Sequence, residues 1–232
     1  MPLKKWVEST NNAIEGILHT ARTQRHLRYH LYAALTVLVV SYVLGLERTD
    51  FLIVALAIIL VLLSEMFNTA VEYVVDMLSP EFSEKARTAK DVAAGAVLIT
   101  AFGAAVVGYI ILFPYFSRLA ERGLSVAKHS KDEIALMSIV LVLILVIVLK
   151  SYFGKGHPLR GGLPSGHAAV AFSAWVAITF ITGSLMASLL CLLLAVLIAR
   201  SRVTVQAHAY IEVILGAVLG AGVTLVLFLI FH

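Results

Sequence analysis

The sequence predicts an all-α, polytopic membrane protein with about seven transmembrane helices. Three observations carry that prediction. The 232 residues are 60% hydrophobic and 14% charged, with a mean hydropathy of +0.95, whereas soluble domains are roughly one-quarter charged. Apolar runs recur at 31–46, 51–77, 91–116, 133–153, 167–183, 185–199 and 209–231, each near or above the roughly twenty residues that cross a bilayer as a helix. Lys and Arg also alternate in density between successive loops. With the N-terminus inside, the inner loops hold Lys4, Lys5, Arg22, Arg25, Arg28, Lys85, Arg87, Lys90, Lys150, Lys155, Arg160, Arg200 and Arg202, against Arg48, Arg118, Arg122, Lys128 and Lys131 outside. That bias predicts a cytoplasmic N-terminus in the inner membrane.

Taken in order, the first thirty residues carry Glu8, Glu15 and several arginines without an apolar core, so no secretory signal peptide is expected. The second run ends in a polar stripe, Glu65, Asn68, Glu72 and Asp76, spaced i, i+3, i+7 and i+11 along one helix face. Ionisable groups aligned on an apolar span are costly and mark a functional site; the bland alternative is a polar seam for helix packing. A polar loop, 79–90, leads into the third run. The segment 117–132 is polar, contains Gly123 and is read as a linker between a module at 1–116 and one at 133–232. Cys191 lies in an apolar run and allows no intramolecular disulfide or cysteine metal cluster. The net charge of +4 suits an anionic membrane surface. Without a basic stripe or interleaved aromatics it gives no ground for nucleic-acid binding.

The stripe continues as Glu65-x2-Asn68-Thr69-Ala70-x-Glu72-x3-Asp76, and then Ala89-Lys90-Asp91 opens the third run. These motifs, over roughly residues 5–115, resemble the small prokaryotic diacylglycerol kinase and undecaprenol kinase family. The resemblance implies three spans plus an N-terminal amphipathic helix, the cofactors Mg²⁺ and ATP, and a homotrimer with composite sites between subunits. It implies Glu65 as the base that deprotonates a lipid hydroxyl and Glu72 as a metal ligand. Asn68, Lys90 and Asp91 would lie around the ATP phosphates, with Asp76 in support. Where the family has a second metal carboxylate this chain has Gln24. An amide oxygen can bind Mg²⁺ but brings no charge, so metal affinity should be lower.

The C-terminal module carries Lys150, then His157-Pro158, then Pro164-Ser165-Gly166-His167, then Ser201-Arg202 with His208 and Glu212 following. This order resembles the type 2 phosphatidic acid phosphatase superfamily, whose pattern is K-x6-R-P, P-S-G-H and S-R-x5-H-x3-D. The chain departs from it at His157, where the family has Arg, and at Glu212, where it has Asp. Residue chemistry agrees with the resemblance. Neutral His208 can attack phosphorus and form a phosphohistidine that water hydrolyses. Glu212, one helical turn on, can hold the productive tautomer, and His167 can protonate the departing lipid oxygen. Ser165 and Gly166 begin a helix whose free N–H groups can receive phosphate oxygens. Lys150 and Arg202 supply charge, with His157 when protonated and Arg160 as a substitute for the missing Arg. No cofactor or metal is needed. Taken singly, His167 and His208 read equally well as packed or interfacial residues; it is the pattern that makes them catalytic. His19, His26, His30 and His129 read as surface or interface residues.

Three functions follow. One is a bifunctional enzyme that phosphorylates a lipid alcohol, undecaprenol or diacylglycerol, and dephosphorylates a lipid phosphate or diphosphate. A second is a lipid phosphatase whose kinase-like half is an inactive oligomerisation scaffold, because of Gln24. A transporter or channel is the third and weakest, since transport does not call for both motif sets.

Overall fold

The computed structural model describes residues 2–81, 83–122, 127–153 and 162–232, without the side chains of 2–4 and 120–122. Every regular element among them is an α-helix: α1 (Pro2–Thr23), α2 (Arg25–Val43), α3 (Arg48–Leu78), α4 (Glu84–Arg122), α5 (Lys131–Phe153), α6 (Gly166–Thr182), α7 (Leu185–Thr204) and α8 (Tyr210–Phe231). Five of them, α3, α4 (as Glu84–Leu119), α5, α7 and α8, are long and apolar enough to cross a membrane, and α6 is a shorter apolar helix. The protein is therefore a multi-pass helical membrane protein. Of the seven predicted spans, those at α2 and α6 do not meet that measure. The reason for α2 is visible in its first two turns, where Arg25, His26, Arg28 and His30 precede the apolar stretch.

The helices form two compact units, residues 24–127 and residues 1–23 with 128–232. In the first, α3 packs along α4, and α2 packs on α3. Gly45, at φ +65°, turns the chain between α2 and α3. A bond between Ser64 Oγ and Thr100 Oγ1 (2.7 Å) ties the middles of α3 and α4. At one end Tyr115 donates to Asp50 Oδ2 (2.8 Å). At the other Lys90 pairs with Asp76. An apolar cavity of about 540 Å³ runs between α2, α3 and α4, lined by residues that include Ala34, Val54, Val61 and Ala105.

In the second unit α6 is central, packed on α5, α7 and α8. Its tightest partner is α8. A Cβ on Gly216 would strike the Ser165 carbonyl, and one on Gly220 would strike the Ala169 carbonyl. One turn further Thr224 bonds Ser173 (2.7 Å). Small residues at i, i+4 and i+8 thus let two backbones meet, as membrane helices do in the absence of a hydrophobic driving force. Val142, Val146 and Ala169 form the α5–α6 core, and Ala168, Ala199 and Val213 the α6–α7–α8 core. The amphipathic α1 also belongs to this unit: it buries Leu18 and Ala21 and packs on α5.

Candidate active sites

The C-terminal site draws on four helix ends, the last turns of α5 and α7 and the first turns of α6 and α8. Helix α7 finishes in a Schellman turn: Gln206 N–H donates to the Val203 carbonyl (2.9 Å) and Ala207 N–H to the Arg202 carbonyl (3.0 Å). The residue in the left-handed position of that turn is Gln206, at φ +53°, where glycine is the usual occupant. His208 N–H then also reaches the Arg202 carbonyl (3.1 Å). The five residues between Arg202 and His208 thus bring the His208 backbone back to the Arg202 carbonyl.

Helix α8 starts immediately afterwards, with Glu212 at its third position. The Glu212 carboxylate accepts three bonds: His208 Nδ1 (2.8 Å), Ala209 N–H (3.2 Å) and, on its other oxygen, Gly162 N–H (2.9 Å). Gly162 sits at φ +88°, a conformation that favours glycine. A carboxylate on Nδ1 keeps the proton there and leaves the Nε2 lone pair available. The His208 side chain is only 2% exposed. Burial pushes its imidazole below the ordinary value, the bond to Glu212 opposes that, and the charges of Lys150 and Arg202 add to the depression. The balance disfavours the charged imidazole.

Around it stand the other residues the sequence singled out. The charges of Arg202 and Lys150 act on His167, which is exposed on the first turn of α6. Lys150, in the last turn of α5, is buried. The Ser165 N–H donates to the Glu212 carbonyl (2.8 Å), fixing the α6 N-terminus to α8. Ser165 Oγ and Arg202 Nε are buried and lack a hydrogen-bond partner among the described residues. Buried polar atoms left so are expected where a ligand completes them. His157 and Arg160 lie outside the described residues. Four contributors were not singled out in the sequence: Gly162, Gly216, Gly220 and, from α1, Arg22, whose Nε donates to the Lys150 carbonyl (3.4 Å). The glycines on α8 had a legible signal in their four-residue spacing; Gly162 and Arg22 had none.

The N-terminal stripe is also drawn together. Glu65 is buried, 4% exposed. Asn68 Nδ2 donates to Glu72 Oε1 (3.0 Å), and Lys90, from α4, pairs with Asp76. Asp91 instead faces Arg87 one turn back on its own helix (3.5 Å), both well exposed. Gln24 is the N-cap residue of α2 and makes no side-chain cap bond. Among the described residues no group of three or more His, Cys, Asp or Glu is disposed to hold a metal. The donor set nevertheless suits a hard cation with phosphate ligands of its own. Glu72 is joined to Asn68, whose Oδ1 is buried without a hydrogen-bond partner among the described residues, and Lys90 stands by as a cation.

Comparison with known proteins bears on this half. The family model for prokaryotic diacylglycerol kinase matches residues 11–112. The undecaprenol kinase of Bacillus subtilis (strain 168) is 35% identical over 112 residues, which is 48% of this chain and 91% of that protein. The diacylglycerol kinase of Synechocystis is 39% identical over 100 residues, 43% of this chain and 57% of that protein. That of Escherichia coli K12 is 31% identical over 84 residues, 36% and 69% respectively. No solved structure matches. Through its N-terminal half, the chain belongs to the prokaryotic diacylglycerol kinase family.

Proposed function

We propose a bifunctional enzyme of the inner membrane. One half transfers phosphate from ATP to a lipid alcohol, undecaprenol or diacylglycerol. The other removes phosphate from a lipid phosphate or diphosphate. Family membership supports the first activity. The second rests on one observation, the buried His208 held on Nδ1 by Glu212 (2.8 Å) among Lys150, Arg202 and His167.

In the hydrolytic half, Nε2 of His208 attacks phosphorus and His167 protonates the departing lipid oxygen. Arg202, Lys150 and the N–H groups at the start of α6 take the phosphoryl oxygens. Water then cleaves the phosphohistidine and releases phosphate. In the kinase half, Glu65 takes the proton from the lipid hydroxyl. Glu72 and Asn68 would hold the divalent ion, with Gln24 as a neutral ligand beside them, and Lys90, Asp76 and Asp91 the nucleotide phosphates. When bound, Mg²⁺ neutralises charge on the transferring phosphoryl group. The apolar cavity between α2, α3 and α4 is of a size to take part of a lipid tail. A homotrimer, with the stripe of α3 turned away from lipid, would bring further carboxylates to a metal site for which the described residues of one subunit hold no group of three His, Cys, Asp or Glu. The N-terminus lies in the cytoplasm.

A second reading, a phosphatase with a non-catalytic kinase-like half, is favoured by Gln24 alone. The test is a pair of assays on the full chain. Phosphate release from undecaprenyl and diacylglycerol phosphates and diphosphates should persist in EDTA. Phosphorylation of the matching alcohols should need Mg·ATP and stop in EDTA. Release that vanishes on chelation and returns with Mg²⁺ would overturn the hydrolytic mechanism. Inert alcohols with active release would leave the scaffold reading.

A further inference from the structure

The two histidines of the C-terminal site are not held alike. His208, the attacking group, has a side chain only 2% exposed and a carboxylate on Nδ1. The Glu212 carbonyl also accepts the Ser165 N–H (2.8 Å), so one residue fixes both the nucleophile and the start of α6. His167, in the first turn of α6, is exposed. The charges of Arg202 and Lys150 act on it, as they do on His208. Positive charge thus serves the leaving side of the site as well as the attacking side.

That arrangement favours one kind of leaving group. A lipid monophosphate must expel an alkoxide, about as basic as hydroxide, whose conjugate acid has a pKa of about 15.7. Such a group needs a well-placed acid. A lipid diphosphate expels a lipid monophosphate, which takes its second proton with a pKa of about 6 and departs as an anion. Cations stabilise charge spread over phosphoryl oxygens but deliver no proton. Ser165 Oγ and Arg202 Nε, both buried and without a hydrogen-bond partner among the described residues, add two polar groups for such oxygens.

The other half of the chain points the same way. Through residues 11–112 the chain belongs to a kinase family, and a lipid kinase makes a monophosphate from an alcohol and ATP. A monophosphatase on the same chain would return that product to the alcohol, and each cycle would only hydrolyse ATP. A diphosphatase would add to the same product instead.

We propose that the hydrolytic half takes a lipid diphosphate rather than a monophosphate, so that both halves deliver one lipid monophosphate. The inference rests on the bifunctional reading given above. Nε2 of His208 bonds to the terminal phosphorus as the bridging P–O bond breaks, and that electron pair leaves with the lipid monophosphate. Water then adds its oxygen to the phosphorus, the N–P electron pair returns to His208, and inorganic phosphate and one proton are released. The reaction upstream is one that releases a lipid diphosphate, and the reaction downstream one that consumes a lipid monophosphate.

The experiment is steady-state hydrolysis by the full-length protein in detergent, in EDTA and without ATP. Its substrates are undecaprenyl diphosphate and phosphate, and diacylglycerol diphosphate and phosphate, each pair sharing one tail. The expected result, in at least one pair, is a kcat/KM at least about 100-fold higher for the diphosphate, the lower end of what a general acid contributes. Each diphosphate turned over should yield one inorganic phosphate and one lipid monophosphate that persists. His167→Asn should cost the monophosphate reaction more than the diphosphate reaction. A preference short of that size in both pairs, or diphosphate carried through to the alcohol, would overturn the proposal and leave a phosphatase without this selectivity. An equal loss on the two substrates in His167→Asn would contradict the leaving-group reasoning on which the proposal stands. Phosphate release from none of the four would remove the phosphatase reading itself, and the proposal with it.

Discussion

Replacing Glu212 by Gln changes one atom and should stop phosphate release. The two carboxylate oxygens divide three donors: Oε2 takes His208 Nδ1 and Ala209 N–H, and Oε1 takes Gly162 N–H. A glutamine has one oxygen for these two places. If the oxygen stays with His208, the amide NH₂ faces Gly162 N–H, donor against donor, and the segment leading to Ser165 loses its anchor. If the NH₂ faces His208, Nδ1 must accept, the ring proton moves to Nε2, and the attacking lone pair is gone. A carboxylate-to-amide change that enforces the wrong histidine tautomer costs about 10⁴-fold in kcat where the same logic operates, so a loss of about 10³–10⁴-fold is expected. Glu212→Ala avoids the donor clash but strands three donors, at about 1–3 kcal/mol for each buried one, and should lower stability as well as rate. The pH profile gives an independent check. Burial pushes His208 below its ordinary value and the Glu212 carboxylate pulls it back up, so hydrolysis by wild type should fall only below the usual imidazole value of about 6.5. Removing the carboxylate should move that acid limb lower still. Steady-state hydrolysis of a lipid phosphate from pH 4 upward, with thermal unfolding of each variant in detergent, measures both effects. Glu212→Gln with near wild-type kcat, or with its acid limb moved upward, would refute the role given to this pair.

Other expectations follow from the same geometry. Gly220→Ala would drive a methyl into the Ala169 backbone, and an overpacked contact that cannot yield costs about 1–3 kcal/mol; a lowered unfolding midpoint in detergent checks it. Glu65→Gln should abolish ATP-dependent lipid phosphorylation and leave phosphate release intact, read by the two assays side by side on one preparation. Gln24→Glu should tighten Mg·ATP binding severalfold, and unchanged binding would mean that position 24 is not beside the metal. Because folding lowers the pKa of His208, its contribution to stability is complete above about pH 6.5 and is lost as pH falls toward the folded value; His208→Asn should flatten that part of the stability curve.

Much of the fold was legible because lipid-facing helices announce themselves as apolar runs, and the runs at 133–153, 167–183 and 209–231 lie within a few residues of α5, α6 and α8. Boundaries failed where a helix is polar at one end. Hydropathy begins the third run at 91, but α4 starts at Glu84, since the residues from Glu84 to Lys90 are good helix formers that need no apolar face. The candidate motifs were legible as residue types at fixed spacing, and the Schellman turn gives a local structure to one of those spacings. That turn was hidden because Gln206 occupies a position usually given to glycine. Asp91 shows the opposite limit: its motif places it near the nucleotide, while on the helix its neighbour is Arg87. Arg22 was beyond sequence reasoning altogether, since only the docking of α1 on α5 brings positions 22 and 150 together.

Whether one chain joins lipid phosphorylation to a metal-free lipid phosphatase working through His208 can be decided by trapping the intermediate. The protein is mixed with a lipid phosphate radiolabelled in its phosphoryl group, in EDTA and without ATP, and quenched in base. The expected result is a base-stable, acid-labile label that maps to His208, is absent from His208→Ala and decays at the rate of phosphate release. Phosphate release that continues in His208→Ala, or a label that forms only with Mg²⁺ and ATP, would contradict it.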